Sequence, residues 1–384
     1  MYLNFIDLII LIGASQSFFL SIVIYRKYGK TTANRTLSLL MLVYAMVLIQ
    51  MLLVDSGFFN TYPRLILILI PVALLIGPMH YLYAKYLTHF SKQYKHFDLL
   101  HFIPFFLYLL IFLPDMFKSK EQLLNGMGNM EGEKVPILFL IFNWIVMTQV
   151  IIYTMFTILI LRRYSIKIKN LFSSIEKLRL NWLRNIVILF SFGFVTYIIE
   201  NMLITAGIIS SKYAFSSIVA GIYVFIFGYL VLLKSEIFVN PEFVSQIDQA
   251  KELEIKKTAE PKYSKSGLNN EKAEEYLAVL LKLMKEEKPY LSSDLTLNKL
   301  AEMVQISPHH LSEVINSMLK QNFFDFINTY RVEKVKQDLL NVDKKNFTLL
   351  AIAVDAGFSS KSSFNMIFKK HTGITPSEFK KGNS

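Results

Sequence analysis

Apolar residues run in long unbroken stretches over the first 234 positions and then change to helical spacing in the last third of the chain. Seven stretches near 3–25, 36–54, 64–86, 97–114, 136–161, 184–205 and 214–234 reach or approach the ~20 residues a helix needs to cross a bilayer. The fourth is the weakest, being short and interrupted by His101 and Pro104. Pro71 and Pro104 do not argue against helices here, because neighbouring helices can satisfy the freed carbonyls. Residues 235–270 hold Pro241, Pro261, Gly267 and alternating charges, and read as a linker with one short helix near 242–256. From 271 onward apolar residues recur at i, i+3 and i+4 with no strand-like alternation. The pattern predicts an all-α chain: a seven-transmembrane-helix bundle over 1–234, the linker over 235–270, and a helical domain over 271–384.

Composition sharpens this division. The 384 residues are 53% hydrophobic and 18% charged, with a mean hydropathy of +0.40. An average soluble domain carries about 25% charged residues, so polar surface is scarce. The chain has no cysteine, which excludes disulfides, thiol catalysis, Cys-ligated zinc and iron–sulfur clusters. The net charge of +12 lies mostly in residues 1–240, whereas 271–384 is close to balanced.

Basic residues also set an orientation. Arg26, Lys27, Lys30 and Arg35 fill the first connection, and Lys85, Lys92 and Lys95 the third. The fifth carries Arg162, Arg163, Lys167, Lys169, Lys177, Arg179 and Arg184, while the alternate connections hold only Arg64, Lys118, Lys120, Lys134 and Lys212. The positive-inside rule then puts the N-terminus outside and the last domain in the cytoplasm. The first stretch has no basic residue before it and reads as a span rather than a removable leader.

Within the last domain two segments resemble each other: LTLNKLAEMVQISPHHLSEVINSML (295–319) and FTLLAIAVDAGFSSKSSFNMIFKK (347–370). Each has a helix with an inward small residue (Ala301; Ala353), a short turn, and a second helix whose apolar face is Leu311, Val314, Ile315 or Phe364, Ile367, Phe368. This is the helix-turn-helix pattern, in which a small residue lets two helices cross closely. Ser307–Pro308 marks a helix start, Gly357 a turn that needs positive φ, and Thr375–Glu378 a capping box. The helix NFFDFINTYRVEKVKQDLL (322–340) between the units would hold them rigidly apart. Two units on one rigid connector can reach successive major-groove segments about 34 Å apart. The amphipathic stretch 271–286 (Tyr276, Leu277, Leu280, Leu281, Leu283, Met284) either packs on this domain or dimerises it, and packing is the simpler expectation.

The strings LAEMVQISPHHLSEVIN, FFDFINTYRVEKVKQDLL and AIAVDAGFSSKSSFNMIFKKHTGITPSEFKK resemble the AraC/XylS-type DNA-binding domain over about 290–381. The longer arrangement, including KYSKSGL (262–268) and KPYL (288–291), resembles membrane-anchored regulators of this type. The resemblance implies that the second helix of each unit enters the major groove of double-stranded DNA. On the first, the polar stripe is His309, Ser312, Glu313 and Asn316; on the second it is Lys361, Ser362, Asn365, Met366 and Lys369, with Lys370 beside it. Asn can read adenine, Glu can accept from cytosine, and Lys can reach guanine or phosphate. The family often has Arg or Gln at the positions of Glu313 and Met366, so base specificity here is expected to differ. Residues 344–384 are basic and 271–343 slightly acidic, which assigns more phosphate anchoring to the second unit, through Lys361, Lys369, Lys370, Lys380 and Lys381.

Polar residues inside apolar stretches are costly and therefore informative. Asp7, Gln50, Asn143, Gln149, Glu200 and Asn201 fall at comparable depth toward the outer side. The sharp expectation is a shared ligand pocket; the bland one is interhelical hydrogen bonding. His80 and His101, near the cytoplasmic ends of neighbouring stretches, are a weak signal for pH sensing or metal binding without further ligands, and GMGNMEGE (126–133) reads as an external loop that could touch a ligand. No HExxH, GxSxG, Walker A or dinucleotide-binding string is present, so neither an enzyme nor a cofactor is expected. The expected protein is a one-component transcriptional regulator of a bacterial inner membrane. Its partners would be double-stranded DNA, the lipid bilayer, RNA polymerase, an unidentified small-molecule or envelope signal, and a second copy of the chain. The alternative is a membrane transporter or enzyme whose soluble domain docks a protein partner.

Overall fold

Every apolar stretch becomes helical in the computed structural model, which describes residues 5–56, 58–89, 94–127, 137–176, 178–209, 215–233, 269–344 and 346–382. The stretches long and apolar enough to cross a membrane are Phe5–Tyr28, Thr32–Val54, Pro63–Thr88, His96–Phe117, Ile141–Leu171, Asn181–Ile204 and Phe215–Leu233. Seven spans followed by a helical domain is the expected fold class. Among the described residues no strand forms, only a single isolated bridge between Phe172 and Thr296. Most of the linker and most of the loop 126–133 lie outside the described residues.

Two compact units divide the chain. The first takes residues 1–162 and 180–241, the second 163–179 and 242–384. In the first unit the α-helices are α1 (Phe5–Val23), α2 (Thr32–Asp55), α3 (Pro63–Leu69), α4 (Ala73–His89), α5 (Ile103–Ile111), α6 (Lys120–Met127), α7 (Ile137–Leu171, to Arg162 in this unit), α8 (Asn181–Thr205) and α9 (Phe215–Leu233). The prolines act locally. At Pro71 the third span tightens into one 3₁₀ turn (Ile70–Val72), and the fourth opens as a 3₁₀ helix (His96–Phe102) before Pro104. Both sites lack a backbone donor, and the tighter turn is the local answer.

Helix α1 packs between α2 and α9. Small residues make the close approach: a Cβ on Gly228 would stand 2.6 Å from Leu20 Cδ1 and 2.7 Å from Gln16 Nε2. Such close crossing is what small residues provide between helices in lipid, where no hydrophobic drive pulls helices together. Ser38 Oγ donates to the Ser21 carbonyl at 2.8 Å, tying α2 to α1. At the core, Tyr44, His80 and Tyr223 from α2, α4 and α9 form a closed hydrogen-bonded triangle of 3.1–3.2 Å sides. His80 Nδ1 meets the Ile76 carbonyl at 3.0 Å, so its polar atoms are all engaged.

The second unit contains α10 (Asn270–Glu286), α11 (Leu297–Val304), α12 (Pro308–Met318), α13 (Phe323–Leu340), α14 (Leu349–Asp355), α15 (Lys361–Thr372) and α16 (Pro376–Gly382). Its core joins Leu280 and Met284 of α10 to Leu300, Ala301, Leu311, Ile315, Phe323 and Ile327. Helix α10 therefore packs on the first helix pair, and Tyr276 stacks on His310. Ala301 and Ala353 are fully buried at the two helix crossings. Helix starts are capped by side chains: Thr296 accepts from Lys299 N, Ser307 from His310 N, Asn322 from Asp325 N, Thr348 from Ala351 N and Ser360 from Ser363 N. Each cap contributes about 1 kcal/mol by satisfying a donor with no helical partner. Thr375 and Glu378 form the reciprocal pair that opens α16.

The centre of this unit is Arg331 on α13, 1% exposed. Its Nε donates to the Tyr290 carbonyl (2.8 Å) and Nη2 to the Ser292 carbonyl (2.8 Å) and Ser173 Oγ (3.0 Å). Nη1 reaches the Ser173 carbonyl (3.1 Å) and Ser174 Oγ (3.3 Å). Burial lowers its pKa to about 10, with Glu176 acting the other way, so it stays charged at neutral pH. Asp338, also buried, takes Lys334 (2.6 Å) and Lys344 (3.0 Å). Burial pushes its carboxyl up, but these two partners outweigh that and hold it below the usual range.

Two outcomes follow from this packing. Gly357 (φ +93°) leads into the second turn, and an added Cβ would stand 2.4 Å from the Tyr290 carbonyl; Gly373 (φ +82°) has nothing within 4 Å. Gly373→Ala should cost about 1 kcal/mol for the conformation alone, and Gly357→Ala at least about 3 kcal/mol, in denaturant titrations of the full chain. Asp338 is depressed in the fold, so its contribution is complete above the ordinary carboxylate range and is lost as pH falls through its folded value. Denaturation midpoints from pH 7 to pH 3 should fall more for the wild type than for Asp338→Asn; equal slopes would refute the assignment.

Candidate nucleic-acid interface

The two helix pairs reach their turns by different means. Between α11 and α12, Gln305 adopts φ +60°; between α14 and α15, Gly357 does the equivalent. In both, the second helix starts at a capped serine: Ser307 before Pro308, and Ser360 before Lys361. Sealing the inward face in this way leaves one polar face of each second helix outward.

On α12, Leu311, Val314 and Ile315 are fully buried, and 100° per residue puts His309, Ser312, Glu313 and Asn316 together on the opposite side. His309 and Asn316 are exposed, Ser312 and Glu313 half-buried. Two of these groups are already engaged within the helix. The Asn316 amide donates to the Ser312 carbonyl at 2.7 Å and to its hydroxyl at 3.2 Å. His309 Nδ1 lies 3.9 Å from Glu313 Oε2, which has no hydrogen-bond partner among the described residues. That oxygen is itself shielded from solvent, so the Glu313 carboxylate must turn outward before it can accept from an exocyclic amine.

On α15, Ser363, Phe364, Ile367 and Phe368 face inward, and Lys361, Ser362, Asn365, Met366 and Lys369 are exposed on one face. Lys370 differs from its neighbour: it donates to Asp325 Oδ1 of α13 at 2.7 Å. Burial raises the Asp325 carboxyl, but Lys370 and Asn322 hold it below its ordinary value. Lys370 is therefore committed within the domain, while Lys361 and Lys369 make no salt bridge among the described residues. Lys380 and Lys381 lie in the last turn of the exposed α16.

Sequence reasoning did not identify the other group beside α15. Segment 163–179, between the fifth and sixth spans in sequence, belongs to the second unit. The Ser173 amide and hydroxyl both donate to the Leu295 carbonyl, at 3.2 and 2.7 Å. Asn328 Nδ2 donates to the Ser173 carbonyl at 3.2 Å. Ser359 donates to Glu176 Oε2 at 2.9 Å, and Arg179 Nη1 donates to Met366 Sδ at 3.4 Å. The signal in the sequence was Phe172 and Ile175, large apolar residues set in an otherwise basic connection.

The six polar residues of the apolar half take separate places. Glu200 is 7% exposed, and its two oxygens accept from the amides of Phe215 (2.5 Å) and Ser216 (2.9 Å), capping the start of α9. Tyr197 donates to Asn143 Oδ1 at 3.0 Å, joining α8 to α7, and Asn201 Nδ2 donates to the Tyr197 carbonyl at 2.8 Å. These three sit together where α7, α8 and α9 meet. Asp7 is buried near the start of α1, and Gln50 is half-buried near the end of α2. Gln149 is buried on α7 with both amide atoms lacking a hydrogen-bond partner among the described residues. No group of three or more His, Cys, Asp or Glu suited to a metal occurs among the described residues.

Residues 300–382 match the helix-turn-helix domain family. Over 91 residues the chain is 38% identical to an HTH-type transcriptional regulator of Staphylococcus aureus (strain COL), covering 24% of this chain and 12% of that protein. It is 30% identical over 87 residues to the melibiose operon regulatory protein of Escherichia coli (strain K12), covering 23% of this chain and 28% of that one. Among solved structures, the C-terminal domain of AraT, a response regulator from Geobacillus stearothermophilus, is 27% identical over 28% of this chain and 84% of that chain, with a TM-score of 0.25. The chain thus spans about an eighth of the staphylococcal relatives and about a quarter of the Escherichia coli one. Residues 300–382 are an AraC-type helix-turn-helix domain similar to those of transcriptional regulators, and they follow seven apolar helices of membrane length.

Proposed function

We propose that the chain is a membrane-bound one-component transcriptional regulator that binds specific DNA sequences through both helix-turn-helix units. The observation that carries this reading is the exposed polar stripe on α15, with Lys361, Asn365 and Lys369 outward over a fully sealed apolar face. Lysines at Lys361 and Lys369 suit phosphate, and Asn365 suits the two-point recognition of adenine. On α12 the Glu313 carboxylate, once turned outward, suits the amino group of cytosine, with His309, Ser312 and Asn316 on the same face. Boundaries near 234 and 270 leave the linker between the apolar half and this domain. The uneven basic charge supports a cytoplasmic C-terminus in a bacterial inner membrane. RNA polymerase and a second copy of the chain are the protein partners that fit a bound regulator.

The apolar half is proposed as the sensor. A ligand can shift an equilibrium only by binding one state better than the other, so its contacts must be with groups that are not already satisfied. Asn143 and Glu200 are occupied by helix-to-helix bonds, and Asn201 by a bond to the Tyr197 carbonyl within α8. Gln149 is the group among the six whose amide is buried and open to a new partner, and a small polar molecule or envelope signal would gain most there.

DNA binding is tested with the full chain in lipid nanodiscs by gel retardation across a salt series. Lys369→Ala should weaken binding on all sequences and make the slope of log K against log salt shallower by about 0.9. Asn365→Ala should cost about 1–3 kcal/mol and relax preference at one base pair only. Loss of neither, in a protein that moves a solute across the bilayer, would favour a transporter. For the sensor, Gln149→Leu should raise the thermal midpoint, since it removes two unpaired polar atoms, and should abolish the transcriptional response. Glu200→Ala should lower the midpoint. A Gln149→Leu protein that responds normally would end this assignment.

A further inference from the structure

Arg179 is one of several cations that segment 163–179 adds to the second unit, and the one that touches the second reading helix through Met366. It is half-buried, and among the described residues no carboxylate lies within ion-pair distance of it. Its neighbours are the Met366 thioether at 3.4 Å and the face of Phe324, 6.0 Å from its guanidinium carbon. A thioether is a weak acceptor, and a ring face satisfies only one side of the guanidinium plane. Most of its five donors are left to other partners.

Its position is fixed from outside α15. Ser173 is clamped by Leu295, Asn328 and Arg331, and Glu176 is tied to Ser359, the residue before the Ser360 cap. Arg331 supplies the strongest part of the clamp, since three of its hydrogen bonds end on Ser173 and Ser174. Undocking the segment would strand those donors in a buried site, which is costly.

Helical geometry puts Met366 at the margin of the polar stripe, next to the buried side that carries Ser363 and Ile367. The rest of the stripe (Lys361, Ser362, Asn365, Lys369) is exposed while the segment is docked. The segment therefore borders the reading face without covering it. A helix seated in a major groove has a phosphate backbone along each margin, and a guanidinium is the side chain best matched to phosphate.

We propose that Arg179, carried by segment 163–179 and held in place through Ser173 and Arg331, is a DNA-phosphate contact on the margin of the second reading helix. This rests on the DNA-binding reading above. It makes the connection between the fifth and sixth spans a working part of the DNA surface.

The test uses the full chain in nanodiscs and anisotropy of a labelled mixed-sequence duplex about three helical turns long. Arg179→Ala should bind about eightfold more weakly at 0.1 M salt, with a slope shallower by about 0.9. Arg179→Lys should restore the slope. Equal or tighter binding by Arg179→Ala, with an unchanged circular dichroism spectrum, overturns the proposal; tighter binding would make the segment a competitor of DNA. Lys361→Ala and Lys369→Ala separate the two levels. If they too leave binding unchanged, the DNA reading of α15 fails, whereas if they weaken it and Arg179→Ala does not, only the role of Arg179 fails.

Discussion

A single buried cation organises the second unit. Arg331 brings a full positive charge into a site where it is 1% exposed, and no carboxylate among the described residues pairs with it directly. Its compensation is a ring of carbonyl and hydroxyl oxygens from three separated stretches: Tyr290 and Ser292, Asn328 on its own helix, and Ser173 and Ser174. A buried guanidinium is tolerable only when nearly every donor is matched. The position of each of those stretches is therefore constrained by the others. The Tyr290 carbonyl that accepts from Arg331 is also the atom nearest the missing Cβ of Gly357, so the turn of the second helix pair is shaped against the same ring.

This constraint explains why the helix-turn-helix pairs behave as one unit. The apolar core alone would fix α10 to α13 together through Leu280, Met284, Leu300, Leu311 and Phe326. Hydrophobic contact is non-directional and tolerates small rotations. Hydrogen bonds to a planar guanidinium are directional, and they set the turn at 290–292 and the segment at 173–174 to within bonding distance. Charge is divided along the same lines. Lys334, Lys344 and Lys370 are committed to Asp338 and Asp325 inside the domain. Lys361 and Lys369 are left outward, where a polyanion would meet them.

The apolar half follows a different economy. With little water to satisfy them, its polar groups are paired with one another: Tyr44 with His80 and Tyr223, Asn143 with Tyr197, Glu200 with the first amides of α9. Other polar residues of the apolar stretches bond back to their own helix, as Thr36, Thr157 and Asn201 do. Gln149 lacks partners for both amide atoms among the described residues, and Gln16 Oε1, Ser17 Oγ and Tyr83 OH each lack one as well.

What could be read from the one-dimensional pattern was whatever depends on neighbours in sequence. Span number followed from unbroken apolar length, helix starts from Ser307–Pro308 and Thr375–Glu378, and the two helix crossings from Ala301 and Ala353, because each is local chemistry with a fixed spacing. The outward stripe on α15 was legible for the same reason: a period of 3.6 residues separates faces without reference to the rest of the fold. Three things were not legible. Lys370 looks like Lys369 in sequence, and only the approach of Asp325 from α13 separates their roles. Glu200 looks like a ligand group until the start of α9 is brought to it. Segment 163–179 reads as an ordinary basic connection, and its place beside Met366 depends on oxygens at 173 and a guanidinium at 331, about 160 residues apart. Such long-range pairing carries no periodicity, so tertiary structure alone could decide it.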